Sequence, residues 1–127
     1  MVKLYQYLTN DKKEYILSKQ LLRSGTSVGA MVRETEHAES TADFIHKLTV
    51  AQKEINESLY WLELLNETDY LSKMEFDSIN ESAVEVIKLI TSILKTTKEN
   101  RKKVTINYKS LIINDLKSCV SPLIINN

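Results

Sequence analysis

Two short stretches carry the residue types and spacing of metal or acid–base chemistry. Glu34 stands three residues before His37, and Asp43 three residues before His46. On a helix this spacing puts a carboxylate and an imidazole on one face, as in bundles that hold a di-iron centre. Such a centre needs two such pairs and two further carboxylates, all facing inward at one level. His37 instead falls opposite the apolar seam of its segment, and Asp43 sits where a helix cap is needed. Both histidines are therefore expected at the surface, and no metal or other cofactor is expected. No serine has a base at recognisable spacing, no glycine-rich phosphate loop occurs, and the one cysteine, Cys119, lies in an atypical C-terminal segment. The residues point to a protein that is not an enzyme.

Basic residues offer a different chemistry. Lys12, Lys19 and Arg23 form a small basic face in one segment, and Lys95, Lys98, Arg101, Lys102 and Lys103 close a later one. Both groups are candidate nucleic-acid contacts, since lysine and arginine bind phosphates by releasing counterions. The whole chain has zero net charge, but residues 1–33 carry +4, residues 34–85 carry −10 and residues 86–127 carry +6. Such segregation suits contact between opposite faces within or between subunits. No aromatic base-stacking motif accompanies the basic groups, which argues against sequence-specific readout.

These residues must be positioned by helices. The chain has 127 residues, 43% of them apolar, which suffices for one core, and only two glycines and one proline, too few for the turns of an all-β fold. A lone cysteine forms no internal disulfide, and no signal-like or membrane-spanning apolar run occurs, so a soluble cytoplasmic protein is expected. Residues 2–8 read as the last turns of a short first helix. Asp11 with Glu14 reads as the cap of a second helix over about residues 12–38. Its apolar and small residues form two adjacent seams, Leu17, Leu21, Ser24, Val28, Met31, Thr35 and Ser18, Leu22, Gly25, Gly29, Val32. Gly25 and Gly29, four residues apart inside a helix, imply that another backbone packs closely there.

Ser40 with Asp43 and Ser72 with Glu75 mark the next two helix starts. The third helix carries Phe44, Leu48, Ala51, Ile55, Leu59 and Leu62 on one stripe and runs to about residue 65. Val50, Trp61 and Leu64 cluster off that stripe as a candidate oligomer interface. The fourth, with Phe76, Ile79, Ala83, Val86, Ile90, Ile93 and Thr97 in line, runs to about residue 100. The expected fold is all-α, an up-and-down antiparallel four-helix bundle over residues 1–100 with a short first helix. Residues 101–127 show no helical period, contain β-branched runs and a late proline, and are expected to form a poorly ordered extension.

The segments RSGTSVGA, RETEHAES, ADFIHKL, EINESLYWLELL and LITSILKTTKEN resemble the four-helix bundle family first described from open reading frames inside intervening sequences of bacterial 23S rRNA genes. The resemblance covers about residues 4–100. It implies a ring-shaped homopentamer, and through a related branch, the accessory proteins of diversity-generating retroelements, it implies RNA and a reverse transcriptase as partners. No biochemical activity is established for the family as a whole. The alternative is an oligomeric protein-interaction scaffold that binds no nucleic acid. Three features depart from the pattern: Met31 stands where family members usually have Asn, the first helix is short by several turns, and the tail beyond Lys103 has no counterpart. The short first helix implies either a truncated start or a bundle that exposes part of its core, and the tail's composition resembles read-through of an AT-rich frame.

Overall fold

The structure, a computed structural model, describes residues 1–99 and 106–125. Among them the chain forms α1 (Val2–Asn10), α2 (Leu17–Glu34), a 3-10 turn (Thr35–His37), α3 (Thr41–Glu67), α4 (Lys73–Glu99) and α5 (Ile106–Ile125). No strand is present among the described residues.

Both seams of α2 are used. Leu21, Ser24 and Val28 are buried on one, and Ser18, Gly25 and Val32 on the other, so that α2 packs against α3 on one side and against α1 and α5 on the other. The α3 stripe buries Phe44, Leu48, Ala51, Ile55 and Leu62, and α4 buries Ile79, Ala83, Val86, Ile90 and Ile93 in the same core. Met31 lies half-buried against that core, a place that suits an apolar side chain. Between α2 and α3 the buried hydroxyls of Ser24 and Ser58 meet at 2.8 Å, and Ser58 also donates to the Glu54 carbonyl. This pair allows close helix approach without leaving a polar group unsatisfied.

The expected caps of α3 and α4 are present. The Asp43 N–H donates to Ser40 Oγ at 3.1 Å, while Ser72 and Glu75 exchange backbone N–H and side-chain oxygen in both directions, at 2.9 and 3.1 Å. The start of α2 differs from the sequence expectation. The helix begins at Leu17, five residues later than expected, because Lys13 takes a left-handed backbone conformation (φ 57°) that interrupts it. Asp11 is not its cap. Glu14 reaches forward instead and accepts from the N–H groups of Ile16, Leu17 and Ser18 at 3.0, 2.8 and 2.6 Å.

The larger difference lies at the C-terminus. Over Ile106–Ile125 the segment expected to be poorly ordered is α5, with Ile113, Leu116, Val120 and Leu123 buried at spacings of three, four and three residues. It packs between α2 and α4. The β-branched runs and Pro122, inside the helix, conceal this period in the sequence; burial on a preformed groove outweighs weak intrinsic propensity. α5 also covers the core face that the short α1 leaves open. The Met1 amine donates to the Leu123 and Ile124 carbonyls at 2.7 and 2.9 Å, so α5 and α1 lie end to end as one column. Among the described residues the bundle therefore has four columns built from five α-helices.

Glu14 is 7% exposed. Burial pushes its carboxyl up, but the N–H groups of Ser18, Leu17 and Ile16 outweigh that and hold it below the usual carboxylate range. Its capping contribution is therefore complete above the unfolded carboxylate value and is lost as pH falls through the folded one. Glu14→Gln should cost about 1 kcal/mol at pH 7, and urea titrations should show the gap closing as pH drops below about 4. A gap independent of pH would exclude a charged cap at this helix start.

Candidate functional site

The described basic residues do not converge. α4 begins beside the α1–α2 turn, where Tyr7 and Lys12 lie close enough to Glu75 to help hold its carboxyl low, after the larger effect of the Ser72 N–H and hydroxyl. Lys12 stands in that turn with its Nζ 6.0 Å from the centre of the Tyr7 ring, not on α2. Lys19, on the first turn of α2, belongs to the same end and is exposed. Lys95 and Lys98 occupy the last turns of α4 and hence the opposite end, also exposed. Arg23 is taken up by an ion pair with Glu57 at 2.8 Å, while Lys19, Lys95 and Lys98 form no ion pair with a described residue. Arg101, Lys102 and Lys103 lie outside the described residues.

The candidate interface on α3 is more organised than its three apolar members indicate. Val50, Glu54, Glu57, Trp61 and Leu64 follow at spacings of four, three, four and three residues, and all are half-buried. The Trp61 indole N–H donates to Glu57 Oε1 at 3.2 Å, the same oxygen that accepts from Arg23. Tyr60, 53% exposed, meets Trp61 edge to face with ring centres 5.0 Å apart. Trp61 therefore serves in part as intrachain cover over the core, held by Glu57. One oxygen of Glu54, Oε2, is buried and has no hydrogen-bond partner among the described residues. Apolar spacing alone does not reveal Glu54 and Glu57 as members of this stripe; the same helical spacing, applied to all residue types, finds them.

The acid–imidazole pairs are separated from one another. Glu34 ends α2 and His37 ends the 3-10 turn, both exposed, while Asp43 Oδ2 accepts from the Glu39 N–H and from Lys47 Nζ at 3.1 Å each. Those contacts hold the Asp43 carboxyl below its usual range, the Glu39 N–H most strongly. Among the described residues no group of three or more His, Cys, Asp or Glu side chains is placed to hold a metal ion. The Cys119 thiol, half-buried on α5, is pushed up by burial and then by the charges of Glu85 and Asp115, the reverse of an activated nucleophile. No described helix is long and apolar enough to cross a membrane.

At Gly25 and Gly29 it is side chains, and not another backbone, that fill the space a Cβ would occupy. A Cβ on Gly25 would lie 2.6 Å from Met1 Cγ, and one on Gly29 2.6 Å from Ile124 Cδ1. One glycine receives α1 and the other α5, so the junction of the fourth column lies over the single turn of α2 between them. Beside it, Thr26, Ala30, Arg33, Glu36, Lys117 and Ser121 border an open cleft of about 590 Å³, rimmed by the Lys117–Glu36 ion pair.

Residues 1–92 match the model of a family described as 23S rRNA-intervening sequence protein. Among solved structures, the chain is similar to a protein of unknown function from the S23 ribosomal protein family of Bacteroides thetaiotaomicron. That match has a TM-score of 0.73 and 54% identity, and it covers 74% of this chain and 87% of the other. No curated protein matches the chain.

The two glycines should respond differently to Ala. Met1 is fully buried and Cγ lies in the middle of its side chain, so Gly25→Ala must displace α1. The overpacking, about 1–3 kcal/mol, should exceed the gain of about 1 kcal/mol in helix propensity. Ile124 meets Gly29 with its terminal methyl beside the open cleft and can turn away, so Gly29→Ala should be neutral or stabilising in urea unfolding. Greater damage from Gly29→Ala than from Gly25→Ala would contradict this packing.

Proposed function

The chain belongs to the 23S rRNA-intervening sequence protein family, and from that premise we propose that it acts without catalysis, as a cytoplasmic, oligomeric helical bundle that binds structured RNA through basic residues. The observation that carries this reading is the state of its cations. Lys19 at one end of the bundle and Lys95 with Lys98 at the other are exposed and unpaired among the described residues. Two separated patches on each copy suit a long or folded polyanion, and repetition around an assembly multiplies weak phosphate contacts. Copies join through the α3 stripe centred on Trp61, and a ring of five is the assembly that the family resemblance implies. A reverse transcriptase is a further partner on the same ground.

A second reading is a protein-interaction scaffold without nucleic acid. It is favoured by the α3 stripe itself, where an aromatic pair and a buried Glu54 oxygen with no hydrogen-bond partner among the described residues adjoin Val50 and Leu64. Such a surface fits a protein partner better than a phosphate backbone.

Light scattering coupled to chromatography, with absorbance at 260 and 280 nm on protein purified at low salt, tests both readings. RNA binding predicts a multimeric particle carrying nucleic acid that high salt removes; a clean multimer supports the scaffold. Lys19→Gln and the pair Lys95→Gln, Lys98→Gln should each weaken RNA binding similarly across sequences and reduce the salt slope by roughly one unit for each phosphate no longer neutralised. Unchanged binding in both would end the assignment to these ends. Trp61→Glu should give smaller particles that remain helical, and retention of the native mass would exclude the α3 stripe as the subunit contact.

A further inference from the structure

Sequence spacing places Tyr15 inside the first turn of a helix that starts near Lys12. The left-handed backbone at Lys13 moves that start to Leu17 and leaves Tyr15 in the turn between α1 and α2. Its neighbour Glu14 fixes the chain there. The Glu14 side chain is buried and accepts from the N–H groups of Ile16, Leu17 and Ser18, so the backbone on both sides of Tyr15 is held. Tyr15 and Ile16 are left 58% and 76% exposed.

The core does not account for this ring. Tyr15 is not packed against it, and neither a hydrogen bond nor a ring contact ties the side chain to a described residue. Among the described residues one other ring is more than half exposed, Tyr60, and it lies edge to face on Trp61, whose indole is bonded to Glu57. Tyr15 instead stands among cations. Lys12, Lys13 and Lys19 are exposed, and none forms an ion pair with a described residue. Nearby acids offset part of that charge: Asp11 is exposed in the same turn, and Glu75 lies close enough to Lys12 to be held low by it, whereas Glu14 faces inward. Three lysines against two acids attract a polyanion only weakly, so phosphate contact alone makes a poor site here. A free tyrosine face adds a contact that does not depend on net charge, because it stacks on any nucleobase. A duplex hides its base faces in its own stack, whereas a loop, a bulge or a single strand can present one.

Resting on the RNA-binding reading above, we propose that the α1–α2 turn is a site for an unpaired nucleotide of RNA, with the Tyr15 ring stacked on the base and Lys12, Lys13 and Lys19 against the flanking phosphates. The N–H groups at the start of α2 take no part, because Glu14 already occupies those of Ile16, Leu17 and Ser18. The turn needs no rearrangement to act in this way, since the ring is already exposed and the backbone beside it already held. Stacking reads no sequence; it selects unpaired from paired RNA.

Fluorescence anisotropy of the full chain provides the test, with an end-labelled single-stranded RNA lacking self-complementarity and with the same strand annealed to its complement. Tyr15→Ala should weaken single-strand binding by about five- to hundredfold while leaving duplex binding and the salt slope unchanged, and Tyr15→Phe should bind as the wild type does. Replacing Lys12, Lys13 and Lys19 together with Gln should reduce the single-strand salt slope by about two units. Because the ring is exposed, the Tyr15 variants should keep the wild-type circular dichroism. Wild-type RNA binding that Tyr15→Ala leaves untouched, or weakens alike for both forms, would overturn stacking and leave the RNA-binding reading standing; a wild type that binds neither form would overturn both. Two other occupants would also overturn the proposal. A smaller particle mass in Tyr15→Ala would make the turn a subunit contact, and Tyr15-dependent binding to phosphatidylserine vesicles in place of RNA would make it a membrane contact.

Discussion

The packing of α2 constrains everything around it. Within 18 residues this helix must touch α3 on one side and the α1–α5 column on the other, and its small residues make that possible. Ser24 brings α3 near through a hydroxyl pair, while Gly25 and Gly29 admit Met1 and Ile124 into the space of absent side chains. Larger residues would still form an amphipathic helix, but one too thick for neighbours on two sides. The width of the buried face, two seams instead of one, is the sequence record of that double duty.

How much of this is legible in the residues alone depends on where the information lies. α3 and α4 are legible because their apolar stripes persist over many turns and each begins at a Ser whose acidic partner stands three residues on; both signals are local. The beginning of α2 is not. Asp11 has the right spacing for a cap, but the left-handed turn at Lys13 moves the start to Leu17 and gives the work to Glu14. Nothing in the pattern separates these alternatives, because both carboxylates precede the same apolar run. α5 is hidden for a different reason. Its three-and-four spacing is present, but β-branched neighbours and Pro122 suggest strand or loop, and only the groove supplied by distant α2 and α4 makes the helix the better state.

The candidate functional residues follow the same division. Gly25 and Gly29 stand out in the sequence because a glycine pair inside a helix is informative without a structure. The basic residues are visible there as a set but not as an arrangement: the chain direction of α2 and α4 sends Lys19 and Lys95 to opposite ends, and Arg23 is already engaged by Glu57. On α3 the reverse holds. Trp61 stands out by its size, yet its orientation is set by Glu57, a residue whose charge alone suggests a solvent-facing position and whose one oxygen joins Arg23 and the indole.

The column assembled from α5 and α1 has a bearing on how the molecule is made. Met1 and Leu123, whose main chains are bonded in the finished bundle, are separated by 122 positions. A ribosome delivers the first of them long before the second, so α1 emerges facing an empty half of its own column. The early helices can pair locally, but the last face of the core closes only when α5 arrives, and closing so long a loop is entropically costly. The last face of the bundle thus waits until α5 has been synthesised, leaving a period in which one side of the core is open.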